Sequence, residues 1–368
     1  MIKDKTSLKI QSATLELLRG AVTQCEHYDS FEKLSHDEWT SLFKFCCSHG
    51  ISSILLSEID KLETSQRPPS DIAIKWIGKK LRQESLYYSQ YNAACDFANV
   101  LQGKGIQCFI LKGLALASYY PSPCEREFGD IDCYLIKGTT SASELGNAIA
   151  EMVGAKVEPA GYKHSHIYYK KHLFENHKYF TNFNQTKQGT KIEKILRRLS
   201  VGQKVRQIDE TSMWMPSPEF NLIFILMHSL GDFIAGDLPL RALLDWSFFL
   251  TKEKDNIDWS YVRPILDECK LMNFFSLITE ICVSFLDADL GELYYEPHPS
   301  LAQKALTDIL NKSLNSSGQL SLWQKIPNIL KRFRRQYMYR TIVTESFTTL
   351  VLNTFLYSSF LHRKVSLE

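Results

Sequence analysis

The chain has 368 residues, 44% of them hydrophobic, which is enough apolar material for a core larger than one small domain. A formal net charge of only +2 at pH 7 does not predict a dominating electrostatic attraction to nucleic acid or to a membrane surface, although a local basic patch could still provide one. The nine cysteines are odd in number and contain no C-x-x-C pair, which argues against a disulfide framework and against a zinc ribbon. The amino terminus contains no apolar core long enough for a signal peptide, so we expect a cytoplasmic protein.

The first hundred residues predict helices, and we place an N-terminal helical region at residues 1–103. Between Ser70 and Leu101, apolar residues recur every three or four positions, as they do in an amphipathic helix. These positions are Ile74, Ile77, Leu81, Tyr88, Tyr91, Cys95 and Ala98. Ser70 or Asp71 can cap the helix after a Pro-Pro step, and the sequence QGKGIQ ends it.

Short alternating elements follow and predict an α/β core over residues 104–216. CFIL and IDCYLI have the composition of buried strands, with a helix over residues 113–120 between them and another over residues 141–153. HIYYKK and LFENHKYF predict two more strands joined by a tight connection, while KVRQI and SMWM are weaker strand candidates. The polar and basic stretch 184–203 is expected to form a long loop.

The rest of the chain, residues 217–368, predicts a C-terminal helical domain. Ser217 suits an N-cap and Pro218 the first helical position. The uncharged stretch Ser346–Leu361 is shorter than the roughly 20 residues that span a bilayer, so we expect a buried terminal helix and no membrane span. The predicted fold class is α+β, a small mixed β-sheet core flanked by N-terminal and C-terminal helical regions.

Two aspartates stand on the second predicted strand of the core. Side chains two apart in a strand point the same way, so Asp130 and Asp132 should project together while Ile131 and Cys133 face the core. Adjacent carboxylates repel each other and lose hydration on burial, and a divalent cation relieves both problems. Hard cations such as Mg²⁺ take oxygen ligands and keep room for substrate phosphates. A solvated acidic pair on a strand edge is the alternative.

A Lys-Gly step lies between the first predicted strand and the short helix. Gly113 at this place lets backbone N–H groups approach a phosphate closely, and Lys112 can add a point charge. The order strand, Lys-Gly, helix, loop and D-x-D therefore favours a phosphate and metal site over a solvated acidic pair.

The stretch LKGLALASYYPSPCEREFGDIDCYL resembles the uncharacterised nucleotidyltransferase family of the DNA polymerase β-like superfamily. That family's pattern is an apolar strand, Lys-Gly, a helix of small residues ending in Tyr-Pro, an arginine, and Asp-x-Asp in an apolar strand; the arginine here is Arg126. The match is specific over residues 109–136 and loose elsewhere. The resemblance implies metal carboxylates on neighbouring strands of a mixed sheet. It also implies transfer of a nucleoside monophosphate from an NTP, with Mg²⁺ or alternatively Mn²⁺ as the cofactor.

The resemblance also implies a third carboxylate on a later strand. A Glu-x-His pair of the family matches Glu175 and His177, and Glu175 would complete the metal-binding set with the two aspartates. Glu175 would also help to position or deprotonate the acceptor hydroxyl. Glu158 and Glu193 are rival positions, and an ordinary amphipathic strand is the alternative.

Further nucleotide contacts are expected from the resemblance. Lys112, Gly113, Arg126 and Arg241 are the predicted nucleotide-binding residues, with His228 facing the same site. An intrahelical ion pair between Arg241 and Asp245 is the plain alternative for the second arginine, and core packing is the alternative for the histidine. 

One departure from the superfamily pattern follows the glycine. Leu114 stands where the wider superfamily commonly has a serine, so that phosphate contact is missing. Lys112 would substitute for it, or triphosphate binding would be weak.

Two other clusters have alternative interpretations. A zinc site built on His164 and His166, with His172 and His177 nearby, ranks below the magnesium site because nothing fixes a fourth ligand. The basic, aromatic stretch Lys331–Arg340 could touch RNA or DNA, but a solvated helix face is favoured, so there is no strong nucleic-acid signal.

The sequence therefore predicts a Mg²⁺-dependent nucleotidyltransferase whose partners are an NTP and an unidentified acceptor, which would be a small molecule, RNA or protein. One alternative is a catalytically weak nucleotide-binding or regulatory module on the same fold. Another is a toxin-like nucleotidyltransferase that modifies RNA or protein.

Overall fold

A computed structural model of the chain describes residues 5–28, 31–181, 187–202, 204–311, 334–335 and 337–342. Within these ranges the chain forms twelve α-helices and an eight-stranded mixed sheet, which confirms the α+β class. The helices are α1 (Lys5–Thr23), α2 (His36–His49), α3 (Ser52–Ile59), α4 (Ser70–Gln102), α5 (Gly113–Ala117), α6 (Ser143–Met152), α7 (Lys187–Ser200), α8 (Pro218–Ala235), α9 (Leu240–Glu253), α10 (Trp259–Glu268), α11 (Met272–Leu286) and α12 (Pro299–Leu310). The strands are β1 (Gln107–Ile110), β2 (Ile131–Lys137), β3 (Thr140–Ser141), β4 (Lys156–Ala160), β5 (His164–Tyr169), β6 (His172–His177), β7 (Arg206–Gln207) and β8 (Met213–Met215).

The sheet has the order β4-β5-β6-β2-β1-β8-β7, and β3 pairs with β2. β2 is antiparallel to its neighbour β1 and parallel to its neighbour β6, which makes the sheet mixed. The parallel pairing places Asp132 directly opposite Glu175. β5 and β6 form the predicted hairpin, whose two linking residues, Lys170 and Lys171, both have positive φ, as a tight two-residue turn requires.

The long helix α4 confirms the helix predicted from Ser70, but its buried face differs from the predicted apolar stripe. Trp76 is fully buried and donates a hydrogen bond from Nε1 to the carbonyl of Ser52 at 2.6 Å. Ile74 and Leu81, by contrast, are 69% and 59% exposed. The apolar repeat therefore predicted the helix correctly without identifying the residues that its first half buries.

The polar stretch 184–203 was expected to be a loop, and this prediction is wrong for the described residues, because α7 spans Lys187–Ser200. Apart from the buried Glu193, its charged residues are exposed or half-buried, whereas Ile192, Leu196 and Leu199 are buried. The high polar content of the stretch hides this helical period. Strand β4 was also not predicted, and it lies at the edge of the sheet, where its residues are exposed or half-buried.

The C-terminal helices begin as predicted. Ser217 caps α8 by accepting a hydrogen bond from the backbone N–H of Phe220, and Pro218 opens the helix. Helices α9 and α11 contact α1, so the first helix of the chain packs on the C-terminal helices. The predicted domain boundaries stay predictions.

None of the described helices is by itself long and apolar enough to cross a membrane. A pair formed by α10 and α11 would reach that length and composition together, but its two helices meet at an angle of 116°. The stretch Ser346–Leu361 lies outside the described residues. All nine cysteines are free thiols, as the sequence predicted.

Candidate active site

Of the three predicted metal carboxylates, Asp132 lies near the start of β2, Glu175 lies within β6, and Asp130 precedes β2. Asp132 and Glu175 are direct partners across these parallel strands. Asp130 comes one residue before β2, is partly exposed, and is close enough for its charge to act on Glu175. Ile131 and Cys133 are fully buried, but every residue of β2 before Lys137 is buried, so burial does not separate the two faces of this strand.

Asp132 is buried and held by two donors. Its Oδ1 is 2.9 Å from Nε2 of His177, and its Oδ2 is 3.5 Å from the ammonium nitrogen of Lys112. Burial alone would raise the pKa of Asp132, but the charge of Lys112 and the hydrogen bond from His177 outweigh it and hold the pKa below its ordinary range. Asp132 is therefore an ionised carboxylate with a fixed orientation.

Glu175 has the opposite electrostatic character. Burial, followed by the charges of Asp132 and Asp130, raises the pKa of Glu175 from 4.5 to about 7. The carboxyl group of Glu175 therefore changes its protonation state near neutral pH.

Three imidazole rings surround the Glu175 carboxylate. Its Oε1 is 3.6 Å from Nε2 of His164 and 3.7 Å from Nε2 of His166, and its Oε2 is 3.7 Å from Nε2 of His177. These separations exceed hydrogen-bond length. Burial lowers the pKa of His164 to about 4, and burial also lowers the pKa of His177 despite its bond to Asp132. The His164 ring is therefore neutral at pH 7.

The Lys-Gly step adopts an unusual backbone between β1 and α5. Lys112 has a φ of 38° and Gly113 a φ of 27°, and a positive φ at a lysine is a strained conformation of the kind that concentrates at functional sites. A Cβ on Gly113 would be 3.5 Å from the carbonyl oxygen of Asp130, so the backbone angle and not lack of space favours glycine. Leu114 is buried and packs in the core.

The two predicted nucleotide-binding arginines are engaged elsewhere. Arg126 is buried and makes a two-pronged ion pair with Asp245, at 2.7 Å from Nε and 2.9 Å from Nη2. Its Nη1 also donates to the carbonyl of Gly113 at 3.0 Å. Arg241 donates to the carbonyl of Glu127. The expected intrahelical pair between Arg241 and Asp245 is therefore wrong, and a nucleotide contact of either arginine stays a prediction.

A family model described as "uncharacterised nucleotidyltransferase" matches residues 35–287 of the chain. The chain belongs to this nucleotidyltransferase family. The match runs from the N-cap of α2 to the C-cap of α11, so it includes the whole sheet and every candidate site residue named above. No curated protein and no solved structure matches the chain.

Two further residues lie near the nucleotidyltransferase carboxylates. The sequence did not single out Lys163, and it left the role of His228 open. The carbonyl oxygen of Lys163, just before β5, accepts hydrogen bonds from the backbone N–H groups of Lys178 and Tyr179. The ammonium group of Lys163 forms no hydrogen bond or ion pair within the described residues, and burial together with repulsion from Lys112 lowers its pKa. His228 on α8 has an Nε2 atom without a hydrogen-bond partner in the same part of the chain, and burial lowers its pKa strongly. Lys163 lies outside any motif, so no pattern in the sequence marks it.

The rival glutamates are engaged away from the nucleotidyltransferase carboxylates. Glu193 accepts hydrogen bonds from the backbone N–H groups of Phe180 and Thr181 at 2.8 and 2.9 Å. Glu158 forms an ion pair with Lys156 at 2.5 Å on the edge strand. Glu175 is therefore the glutamate that the fold brings to the aspartates.

Proposed function

We propose that the chain transfers a nucleoside monophosphate from an NTP to a hydroxyl acceptor, with Mg²⁺ bound by Asp130, Asp132 and Glu175. The observation that carries the proposal is the placement of Asp132 opposite Glu175 on parallel strands, with Asp130 at the entrance to the same strand. Membership of a nucleotidyltransferase family supports it.

The donor set fits a hard divalent cation. It consists of carboxylate oxygens, which are the ligands that Mg²⁺ and Mn²⁺ prefer. Burial raises the pKa of Glu175, and the negative charges of Asp132 and Asp130 raise it further, so a bound cation would stabilise the ionised carboxylate. When bound, the cation would neutralise charge on the triphosphate and polarise the phosphorus that is attacked.

Besides the cation, the reaction needs positive charge beside the phosphates and a group that accepts a proton, and side chains of this protein would supply both. The ammonium group of Lys112 contacts Asp132, and Lys163 is near enough for the charges of Asp132 and Glu175 to act on it. Both ammonium groups would balance the phosphate oxygens of the NTP. Glu175 would help to position the acceptor hydroxyl and to accept its proton as that oxygen attacks the α-phosphorus and pyrophosphate leaves. Catalysis would then consist mainly of positioning and charge neutralisation.

The test is transfer of label from α-labelled NTPs in the presence of Mg²⁺. Asp132→Asn should abolish transfer, while Glu158→Gln, which alters an exposed carboxylate on the edge strand, should leave it unchanged. Label on RNA, on protein or on a small alcohol would identify the acceptor class. Full transfer by Asp132→Asn would overturn the proposal, and NTP binding without any transfer would favour the regulatory module.

A further inference from the structure

A second set of possible metal ligands overlaps the carboxylates and is rich in nitrogen. One possible ligand atom from each of His164, Glu175 and His177 lies within 4.8 Å of the other two. His166 stacks on His164 with ring centroids 5.4 Å apart and an interplanar angle of 21°. Neutral imidazole nitrogens suit Zn²⁺ far better than Mg²⁺.

The distances match ligands of one ion better than they match hydrogen bonds. Two ligands that are each about 2.0–2.1 Å from zinc, at a tetrahedral angle, lie about 3.3–3.4 Å apart. The Nε2 atoms of His164 and His177 are 3.6 and 3.7 Å from the two oxygens of Glu175, which is slightly wider than that spacing. A hydrogen-bonded imidazole and carboxylate would be closer than about 3.2 Å.

The two rings are placed for ligation, and Nε2 of His177 would have to give up its hydrogen bond to Asp132 to bind the ion. Nδ1 of His164 has no hydrogen-bond partner within the described residues, so no hydrogen bond from that nitrogen holds the ring in place. His177 is fixed by its neighbours: its Nδ1 is 3.2 Å from the carbonyl oxygen of Tyr179, a contact that leaves Nε2 directed at the carboxylates.

We propose that His164, Glu175 and His177 bind a Zn²⁺ ion, with His166 placed to supply a further nitrogen. This is the arrangement of two histidines and one glutamate that leaves an open position on zinc.

Zinc binding at this set would compete with the magnesium role of Glu175. Nε2 of His177 cannot donate to Asp132 and bind a metal at once, and Glu175 would turn from the aspartates toward the imidazoles. Zinc is thus expected to inhibit transfer by withdrawing Glu175 and His177 from the carboxylate set. This consequence rests on the proposed function, whereas zinc binding itself does not.

The experiment measures Zn²⁺ binding to the full chain, stripped of metal, by calorimetry without nucleotide, and metal content after desalting. The wild type should bind one Zn²⁺. His164→Ala should weaken binding by more than the roughly 100-fold that loss of a residue merely hydrogen-bonded to a ligand can cost. His172→Ala is the matched control, because His172 lies on the same strand as Glu175 but bonds to Ser89. Asp130→Asn should also keep the zinc.

Two results would overturn the proposal: no zinc binding by the wild type, or equal affinity in the wild type and in correctly folded His164→Ala, checked by circular dichroism. Zinc that inhibits transfer by the wild type but not by His164→Ala would support the competition for Glu175. Transfer that zinc at saturation leaves unchanged would overturn that competition. Binding is read without nucleotide, so its failure is separate from failure of the proposed transfer reaction.

Discussion

Asp130 and Asp132 are two residues apart in the sequence, yet their surroundings give them different properties. Asp132 is buried and oriented by His177 and Lys112, whereas Asp130 lies before the strand and is partly exposed. A carboxylate that is already oriented loses little entropy when it binds a ligand. Asp132 is therefore the pre-organised member of the pair, and Asp130 the one that can adjust to the ion and to the phosphates.

The raised pKa of Glu175 predicts a pH-dependent gain in stability for Glu175→Gln. The Glu175 carboxylate binds its proton more tightly in the folded chain than in the unfolded chain. Protonation of Glu175 therefore contributes fully to the free energy of unfolding below pH 4.5, and this contribution is lost as the pH rises through about 7. Without metal, the variant should be more stable than the wild type at pH 8 by on the order of 1 kcal/mol, a figure reduced for partial exposure. The gain should vanish near pH 4.5. Thermal unfolding at both pH values measures it.

The matched control is Glu158→Gln, whose carboxylate is exposed on the edge strand and should show no such gain. Mg²⁺ should reverse the order of stability at pH 8, because the wild type would bind the ion more tightly. An equal effect of Glu175→Gln at both pH values would contradict the assignment.

At the scale of single residues, the sequence predicted those features that follow from the two-residue alternation of side chains in a strand. A period of two placed Asp132 and Glu175 on strand faces, and the pairing of β2 with β6 then set them side by side. Lys163 could not be found in this way, because it lies before its strand and reaches the site only through the fold. The partner of Arg126, Asp245, is more than a hundred residues away, and no local spacing selects it over Arg241.

At the scale of elements, the ion pair between Arg126 and Asp245 joins the loop before β2 to helix α9. Asp245 also accepts a hydrogen bond from Tyr120 at 2.8 Å, and Arg126 holds the carbonyl of Gly113. The pair therefore fixes the loop that carries the Lys-Gly step to the helical half of the molecule.

Breaking this pair should be strongly destabilising. Arg126→Met leaves the Asp245 carboxylate buried without its charge partner, which we expect to cost about 3–5 kcal/mol. Chemical denaturation measures the loss. Adding Asp245→Leu to Arg126→Met should recover part of the stability, since both charges are then absent. A loss below about 1 kcal/mol, as for a surface pair, would contradict this account.

Helix α4 offers a second test, because its apolar residues divide between two faces. Trp76 is fully buried against the other N-terminal helices, and Trp76→Ala should cost about 3–5 kcal/mol. Leu81 is 59% exposed, and Leu81→Ser should change stability by no more than about 0.5 kcal/mol. Urea unfolding of both variants compares them. A larger loss for Leu81→Ser would mean that its face is covered by something else.

The same helix shows the limit of prediction at this scale. Its period of three to four established that a helix forms, but the first half buries Ile72, Trp76 and Gln83 instead of the apolar stripe. The choice of face depends on which surfaces α2 and α3 present, and that is tertiary information. Helix α7 was missed for a similar reason. Its composition is polar, and the few residues that hold it as a helix are recognised only once their burial in the fold is known.

At the scale of the whole molecule, the helices before the sheet and after it share one hydrophobic cluster with the sheet. α1 packs against α3, α9 and α11, so the ends of the matched region meet the first helix of the chain. The sequence predicted three consecutive regions because composition changes along the chain in that order. It could not show that the first and third regions pack together, since contacts over such separations leave no local pattern.

This packing predicts that α1 is needed for stability although the family match begins only at residue 35. Leu17 on α1 is fully buried, whereas Leu8 on the same helix is 48% exposed. Leu17→Ala should lower the free energy of unfolding by about 2–5 kcal/mol, while Leu8→Ala should cost less than about 0.5 kcal/mol. Denaturant titration of the full chain measures both. Removal of residues 1–34 should lower the unfolding temperature more than either substitution, because it uncovers the faces of α9 and α11 that Leu17 and its neighbours cover. If the shortened chain unfolded at the same temperature as the full chain, α1 would be an appendage and not part of the core.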